Sequence, residues 1–398
     1  MQPIPSAPST RTAASARSAT AALALLALAA CADQPSPVAP ASAEAAPLLS
    51  AAPGRGVAGE YVVVLREGAS PAAVAAVAGA APRHVYTAAL TGFAAALSPG
   101  QLNALRHHPA VAYVEQDQVV EPQWVQSPAP WGLDRIDQTA LPLNNAYVFN
   151  TTTAGRVHAY IIDSGILTGH PEFTGRALNV FDAFGGTGMD CYGHGTGVAG
   201  VVGAKTYGVA KEVRLRGLRV LDCSGMGTVA GIIAAVNWVT ANHIKPAVAN
   251  LSVGGVFSGA LNNAVNNLYG AGVYVAVSGG NNAAPACNYS SGSVAAVTTV
   301  SASDPADLHV PSNNFGSCVD LYAPGRNVPT VGLTTTPVLA SGSSIAAPHV
   351  TGTAALVFAT LGGTAASVQG WILANATPGV VVGVPAGTPN RLLFKSTL

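Results

Sequence analysis

Between residues 157 and 277 the chain repeats one local arrangement, and this limits the fold more than any other feature. Short strand-like runs at 157–162, 213–220, 248–251 and 273–277, largely apolar apart from the arginines at 214, 216 and 219, alternate with longer stretches of helical character. The helical stretches include 228–241, 261–269 and, further on, 344–361. Strands that are apolar at every position need cover on both faces, and a helix between successive strands makes them run parallel. An α/β unit is therefore expected over 122–398, with a mostly parallel sheet and helices on both faces. In such a sheet, ligands gather at the carboxyl ends of the strands.

The preceding residues follow another pattern. Residues 60–65 read as a strand. Ser70-Pro71 opens an alanine-rich helix, with serine as N-cap and proline at the first helical position. Strands follow near 84–87 and 93–97, and Ser98-Pro99-Gly100-Gln101 fits a capping box that starts a helix through Arg106. A last strand begins at 111–114. The order β-α-β-β-α-β predicts a small ferredoxin-like α+β unit over 59–121. A unit of roughly 60 residues is marginal alone. Residues 32–58, rich in Ala, Pro, Ser and Gly, are expected to form a flexible linker.

Residues 1–31 have the pattern of an export signal: Arg11 and Arg17, a short apolar run over 21–30, then small residues. The run ends Leu28-Ala29-Ala30-Cys31, which resembles a bacterial lipobox with Cys31 as the lipidated residue. An ordinary cleaved signal fits equally well. Both readings take the protein out of the cytoplasm, with a lipid anchor before processing in the first. Cys191, Cys223, Cys287 and Cys318 then form an even set in an oxidising compartment, where two disulfides and three pairings are open. No Cys-x-x-Cys pair occurs, which argues against zinc. Lys+Arg and Asp+Glu both total 18, so no net charge draws the chain to nucleic acid or an anionic membrane surface.

Three stretches place a reactive side chain at an element boundary. Tyr160-Ile161-Ile162-Asp163-Ser164-Gly165 delivers a carboxylate as an apolar strand ends. Gly193-His194-Gly195-Thr196-Gly197 sets a histidine at the start of a small-residue helix. Ser341-Gly342-Ser343-Ser344-Ile345-Ala346-Ala347-Pro348 puts a serine where the N–H groups and dipole of the final long helix favour negative charge. Singly, these are an aspartate at a turn, a glycine loop and a serine cap. The nucleophile elbow Gly-x-Ser-x-Gly is not met, because residue 346 is alanine.

The set is more specific than its members. Asp163, His194 and Ser344 stand in that order, 31 and 150 residues apart. With Trp131-Gly132-Leu133-Asp134-Arg135-Ile136, Tyr207-Gly208-Val209-Ala210, Val220-Leu221-Asp222-Cys223, Asn288-Tyr289-Ser290 and Pro389-Asn390-Arg391-Leu392-Leu393, the chain from about Tyr61 resembles the subtilisin-like serine proteases. It is most similar to the proteinase K branch and its aqualysin-like members. The resemblance implies a self-processing zymogen with no catalytic cofactor. Ser344 would be the nucleophile, His194 its base and Asp163 the group that orients the base. Asn281, in Val277-Ser278-Gly279-Gly280-Asn281, would donate to the oxyanion with the Ser344 N–H. An extended polypeptide substrate would lie between segments carrying Gly225 and Gly227 and Leu251, Ser252, Val253 and Gly254, with Gly280 nearby. The glycines would let its main chain approach, and apolar walls would favour hydrophobic or aromatic P1 residues.

Further implications of the resemblance are the pairs Cys191–Cys223 and Cys287–Cys318, each contributing about 3 kcal/mol through the unfolded state, and structural calcium with Asp320 as a carboxylate ligand. Residues 59–121 would be an inhibitor-like prodomain, removed by a cut between Glu121 and Gln126 to leave a monomeric enzyme. The sequence departs from the family pattern at Gly197, where many relatives have histidine, and at Ser343, Ile345 and Ala347 around the nucleophile. These departures motivate two competing readings, a catalytically weak binding or inhibitory relative and a lipid-anchored structural protein.

Overall fold

The computed structural model describes residues 44–51, 55–120, 124–150, 154–396 and 398. The export signal, Cys31 and residues 32–43 of the expected linker lie outside the described residues.

The first sheet contains β1 (Leu48–Leu49), β2 (Gly56–Leu65), β3 (His84–Tyr86), β4 (Gly92–Ala96) and β5 (Val111–Gln118), in the spatial order β1-β5-β2-β4-β3. Its helices are α1 (Pro71–Val77) and α2 (Pro99–Arg106). The caps are those expected. Ser70 accepts from Ala73 N, and Ser98 and Gln101 complete a reciprocal capping box. Each box satisfies N–H groups that a helix leaves unpaired at its start. Val63, Phe93, Leu105 and Val114 are fully buried between sheet and helices. The flexible linker is corrected at its C-terminal end. Ala46 is buried, β1 pairs in parallel with β5, and β2 begins at Gly56. Pairing with β5 satisfies the backbone of a segment whose composition alone reads as unstructured.

The chain continues through β6 (Trp124–Gln126), α3 (Trp131–Ile136) and β7 (Tyr147–Phe149), with β6 and β7 antiparallel. Then come β8 (His158–Asp163), β9 (Ala177–Asp182), α4 (His194–Gly203), β10 (Arg214–Arg219), α5 (Val229–Asn242), β11 (Ala247–Leu251), β12 (Gly255–Val256), α6 (Gly259–Gly270) and β13 (Tyr274–Ser278). The remainder is β14 (Tyr289–Ser290), β15 (Thr298–Ser303), β16 (Leu321–Pro324), β17 (Val328–Thr330), β18 (Val338–Ala340), α7 (Ser343–Leu361), α8 (Ala365–Asn375), β19 (Thr377–Pro378) and β20 (Arg391–Leu392).

Nine strands form one sheet in the order β19-β20-β16-β15-β13-β11-β8-β10-β9, parallel throughout except for the edge pair β19–β20. The expected doubly covered sheet is thus present. Along β8, Ala159 and Ile161 face a core built with α4, α7 and α8, whereas Tyr160 and Ile162 face one built with α5 and α6. Both faces being apolar explains why β8, β11 and β13 show no alternation. Helix α7 is long and apolar enough to cross a membrane by composition, but it is a core helix, buried from Ser343 to Phe358.

The turn after β8 is fixed by one residue. Gly165 has φ +94°, and a Cβ there would lie 2.1 Å from Gly188 O. Only glycine fits this bend, so the chain leaves the sheet immediately after Asp163.

Candidate active site

The carboxyl ends of β11 and β13, the segment after β10 and the amino end of α4 line one cleft of about 520 Å³, and neither Asp163 nor Ser344 is among its lining residues. Its lining includes His194, Gly225, Ser252, Val253, Gly254, Gly280 and Asn281, which were expected from the sequence.

Asp163, the last residue of β8, is fully buried, and its Oδ1 lies 2.8 Å from Nδ1 of His194, the first residue of α4. Oδ1 also accepts from Ser164 N, whereas Oδ2 has no hydrogen-bond partner among the described residues. The Asp163 carboxylate raises the His194 pKa above its ordinary value; its hydrogen bond and the charge of Asp190 add to this, and burial opposes it. A buried carboxylate with a free oxygen favours a cationic neighbour.

Asp190 is the residue that sequence reasoning missed. Its Oδ1 accepts from Ser164 Oγ, Tyr192 N and Gly193 N, and its Oδ2 from Thr196 N and Thr196 Oγ1, all at 2.6–3.0 Å. Ser164 Oγ in turn accepts from Gly195 N. One carboxylate therefore ties the residue after Asp163 to the residues on either side of His194. The available signal was an aspartate four positions before the histidine, in Asp190-Cys191-Tyr192-Gly193-His194.

At the other side, α7 starts at Ser343 with Gly342 as its cap. Ser343 Oγ accepts from Gly280 N and donates to Asn281 Oδ1, both at 3.0 Å, and its side chain is fully buried. Ser343 is thus committed to internal bonds, while Ser344 Oγ makes none among the described residues, including none to His194. The first N–H groups of the helix are similarly divided. Ser343 N donates to Asn281 Oδ1, and Ile345 N and Ala346 N to Gly342 O. Ser344 N makes no such bond among the described residues. Asn281 Oδ1 also accepts from Asn313 Nδ2, so three donors hold the carbonyl oxygen and turn Nδ2 outward. A Cβ on Gly342 would stand 3.1 Å from Asn281 Nδ2 and 3.2 Å from Ser344 Oγ, so glycine there leaves both groups clear.

Pro348 explains another contact. Lacking an N–H, it cannot bond the carbonyl four residues back, at Ser344. Ser252 Oγ donates to that carbonyl at 2.8 Å, and Ser252 accepts from Asn250 Nδ2, whose Oδ1 accepts from Thr351 Oγ1. Ser252 is therefore a brace between β11 and α7 as well as a wall of the cleft.

The expected reason for several glycines is corrected. A Cβ at 225 would lie 2.6 Å from the Tyr192 ring, at 227 it would lie 2.2 Å from Val220 O, and at 254 it would lie 2.2 Å from Ser290 O. These close approaches are to the protein's own atoms. Leu251 is fully buried in the core beneath the cleft, and Gly227 pairs with Leu221 in an isolated bridge; neither lines the cavity. Tyr192 and Val256 do, without having been singled out in the sequence, as do Leu221, Ser278, Tyr289 and Ser290, which entered there only as parts of the family motifs.

Both expected disulfides form, Cys191–Cys223 beside the His194 segment and Cys287–Cys318. The departures from the family pattern are accommodated. A Cβ at Gly197 would meet Thr330 and Val331 at 3.4 Å, and Ile345 and Ala347 are buried in the main core. Asp320 accepts from Thr299 N at 2.7 Å, and burial pushes its carboxyl up to about 6. No group of three or more His, Cys, Asp or Glu side chains is placed to hold a metal among the described residues.

Comparison with known proteins agrees with this geometry. The model of the subtilase family matches residues 159–392, and that of the peptidase inhibitor I9 family matches residues 60–123. An extracellular serine proteinase from Thermus sp. (strain Rt41A) is 44% identical over 89% of this chain and 93% of its own. Proteinase R from Parengyodontium album is 37% identical over 89% of this chain and 92% of its own. The crystal structure of a cold adapted subtilisin-like serine proteinase aligns with TM-score 0.65 at 42% identity, covering 68% of this chain and 99% of that one. The chain belongs to the subtilase family of serine proteinases and carries an I9 inhibitor unit ahead of its peptidase unit.

Proposed function

We propose that this protein is a secreted endopeptidase that hydrolyses polypeptides through Asp163, His194 and Ser344, with broad specificity and a preference for apolar or aromatic P1 residues. The observation that carries the reading is the Asp163–His194 contact of 2.8 Å beside a cleft that also holds Asn281. A serine hydroxyl is a weak nucleophile at neutral pH and needs a base. His194 takes the Ser344 Oγ proton on Nε2 as Oγ attacks the scissile carbonyl carbon. The oxyanion is held by Asn281 Nδ2 and by the Ser344 N–H, the one early N–H of α7 left without an internal acceptor among the described residues. His194 then protonates the leaving amine, and water repeats the sequence on the acyl-enzyme. Asp163 fixes the tautomer and stabilises the imidazolium. The Nε2–Oγ hydrogen bond is absent from this structure, as in other ligand-free enzymes where such bonds tighten on substrate binding.

The apolar P1 preference is supported by the Leu221, Val253 and Val256 walls. Secretion is supported by the export pattern, the two disulfides and the extracellular relative. The zymogen reading assigns 59–121 as prodomain and 122–398 as peptidase. Within the processing window, Trp124–Gln126 is already a strand paired with β7, and Gln126 Nε2 donates to Thr206 O. The cut therefore falls before Trp124. Val119 and Val120 at the end of the prodomain are exposed in this uncut chain.

Calcium is proposed as a structural ion. Asp320 fits a hard cation: its carboxyl is largely desolvated and has no ion pair among the described residues, and backbone oxygens and water would complete the shell.

Three outcomes are expected. Ser344→Ala accumulates an uncut precursor, whereas intact mass of the active protein places its N-terminus at residues 122–124; self-processing by the variant contradicts the nucleophile. His194 must be neutral to accept a proton, so the acid limb of kcat/KM lies above pH 6.5. Asp163→Asn moves that limb downward and lowers kcat by about 10⁴; an unmoved limb contradicts the pairing. Chelation lowers the Tm of the inhibitor-blocked enzyme, and Asp320→Asn both lowers Tm and abolishes the response. An equal response in that variant contradicts the site.

A further inference from the structure

At the end of the sheet opposite the cleft, a second open cavity of about 230 Å³ is lined by Gly155, Gly175, Arg176, Glu212, Arg214 and Arg216. Arg214 lies across from His158 and Arg216 from Tyr160 in the β10–β8 register, while Leu215 and Ala159 between them belong to the core on the other side. His158, Arg214 and Arg216 therefore share one sheet face. Five residues separate Arg214 from Arg219 at the cleft end of β10, or about 17 Å of strand.

The charges there are unbalanced. The arginines in ion pairs among the described residues are Arg83, Arg135 and Arg219, none of which lines this cavity. Arg176 is anchored on the carbonyls of Gly203, Val213 and Glu172 and forms a wall. Arg214 donates only Nε, to Gly155 O, which leaves both Nη groups. Arg216 donates Nη1, to Leu215 O and Arg176 O, which leaves Nε and Nη2. Burial lowers the pKa of Arg176 and Arg216, which marks the cost of holding these cations out of water. His158, on the same sheet face, feels the charges of Arg216 and Arg214 but does not itself line the cavity. The histidine is 8% exposed, and its buried Nδ1 has no hydrogen-bond partner among the described residues. Burial, then Arg216 and Arg214, hold its pKa down at about 4, so the ring is neutral at neutral pH and free to donate.

We propose that this pocket binds one phosphate- or sulfate-type oxyanion, held bidentately by Arg214 and Arg216. Planar guanidiniums match such groups in both geometry and charge. Arg176, Arg214 and Arg216 outnumber Glu212 and the neighbouring Glu172, and paired planar guanidiniums favour a polyatomic oxyanion over chloride. The volume, about seven waters' worth, suits one such group with part of its hydration shell. The bound anion would stabilise the fold by mass action without touching the cleft.

The test is equilibrium dialysis of labelled inorganic sulfate against the inhibitor-blocked enzyme, with Tm measured in parallel and ionic strength held constant with chloride. One ion per chain is expected, with a saturable rise of several degrees in Tm. Arg214→Gln, and separately Arg216→Gln, should weaken binding at least about tenfold while peptidase activity is unchanged. Competition by glucose 6-phosphate would admit ester-linked groups as occupants; its absence alongside sulfate binding would assign the pocket to the free ion. A Tm rise that is unsaturable and equal in both variants would be the general exclusion of sulfate from protein surfaces, and it would overturn the site.

Discussion

The contact between Asp163 and His194 is the constraint on which the rest of the site depends. It places a carboxylate with one free oxygen in the interior, beside an imidazole whose cationic form it favours. Such a pair is useful only if neither partner can move away, because an isolated buried charge is strongly unfavourable. The fold supplies that rigidity twice. Gly165 turns the chain directly after the carboxylate, and Asp190 gathers five donors from the residues next to both partners. Asp190 touches neither a reacting group nor the cleft, so it is a positioning residue.

The start of α7 follows the same logic by different means. Pro348 leaves the Ser344 carbonyl without its helical partner, and Ser252 from β11 takes it. Asn281 accepts three bonds on one oxygen, which leaves its amide to face the cleft. In both cases a polar group satisfied inside the protein decides which of its atoms remains available for chemistry. The same distinction separates Ser343 from Ser344: the first spends its hydroxyl on Gly280 and Asn281, and the second does not.

Much of this was legible in the sequence, for physical reasons. Apolar runs without alternation announced a covered parallel sheet, and Ser98 with Gln101 announced a helix start, because both signals are local. The Asp163–His194 contact and the two disulfides were readable because their flanking residues resemble a family. What was not legible depends on partners far along the chain. Nothing near Leu48 indicates that it pairs with Val114, and nothing near Asn313 indicates that it braces Asn281. The close approach at Gly225 and Gly227 was not legible either, since only coordinates show Tyr192 and Val220 occupying the space a side chain would need.

The most direct test of the account is the position of the adduct formed with a serine-directed fluorophosphonate, mapped by peptide mass analysis of the processed protein. A single adduct on Ser344, formed more slowly as His194 becomes protonated, is the expected result. An adduct on Ser343, or a folded and processed protein that takes up no label, would contradict it.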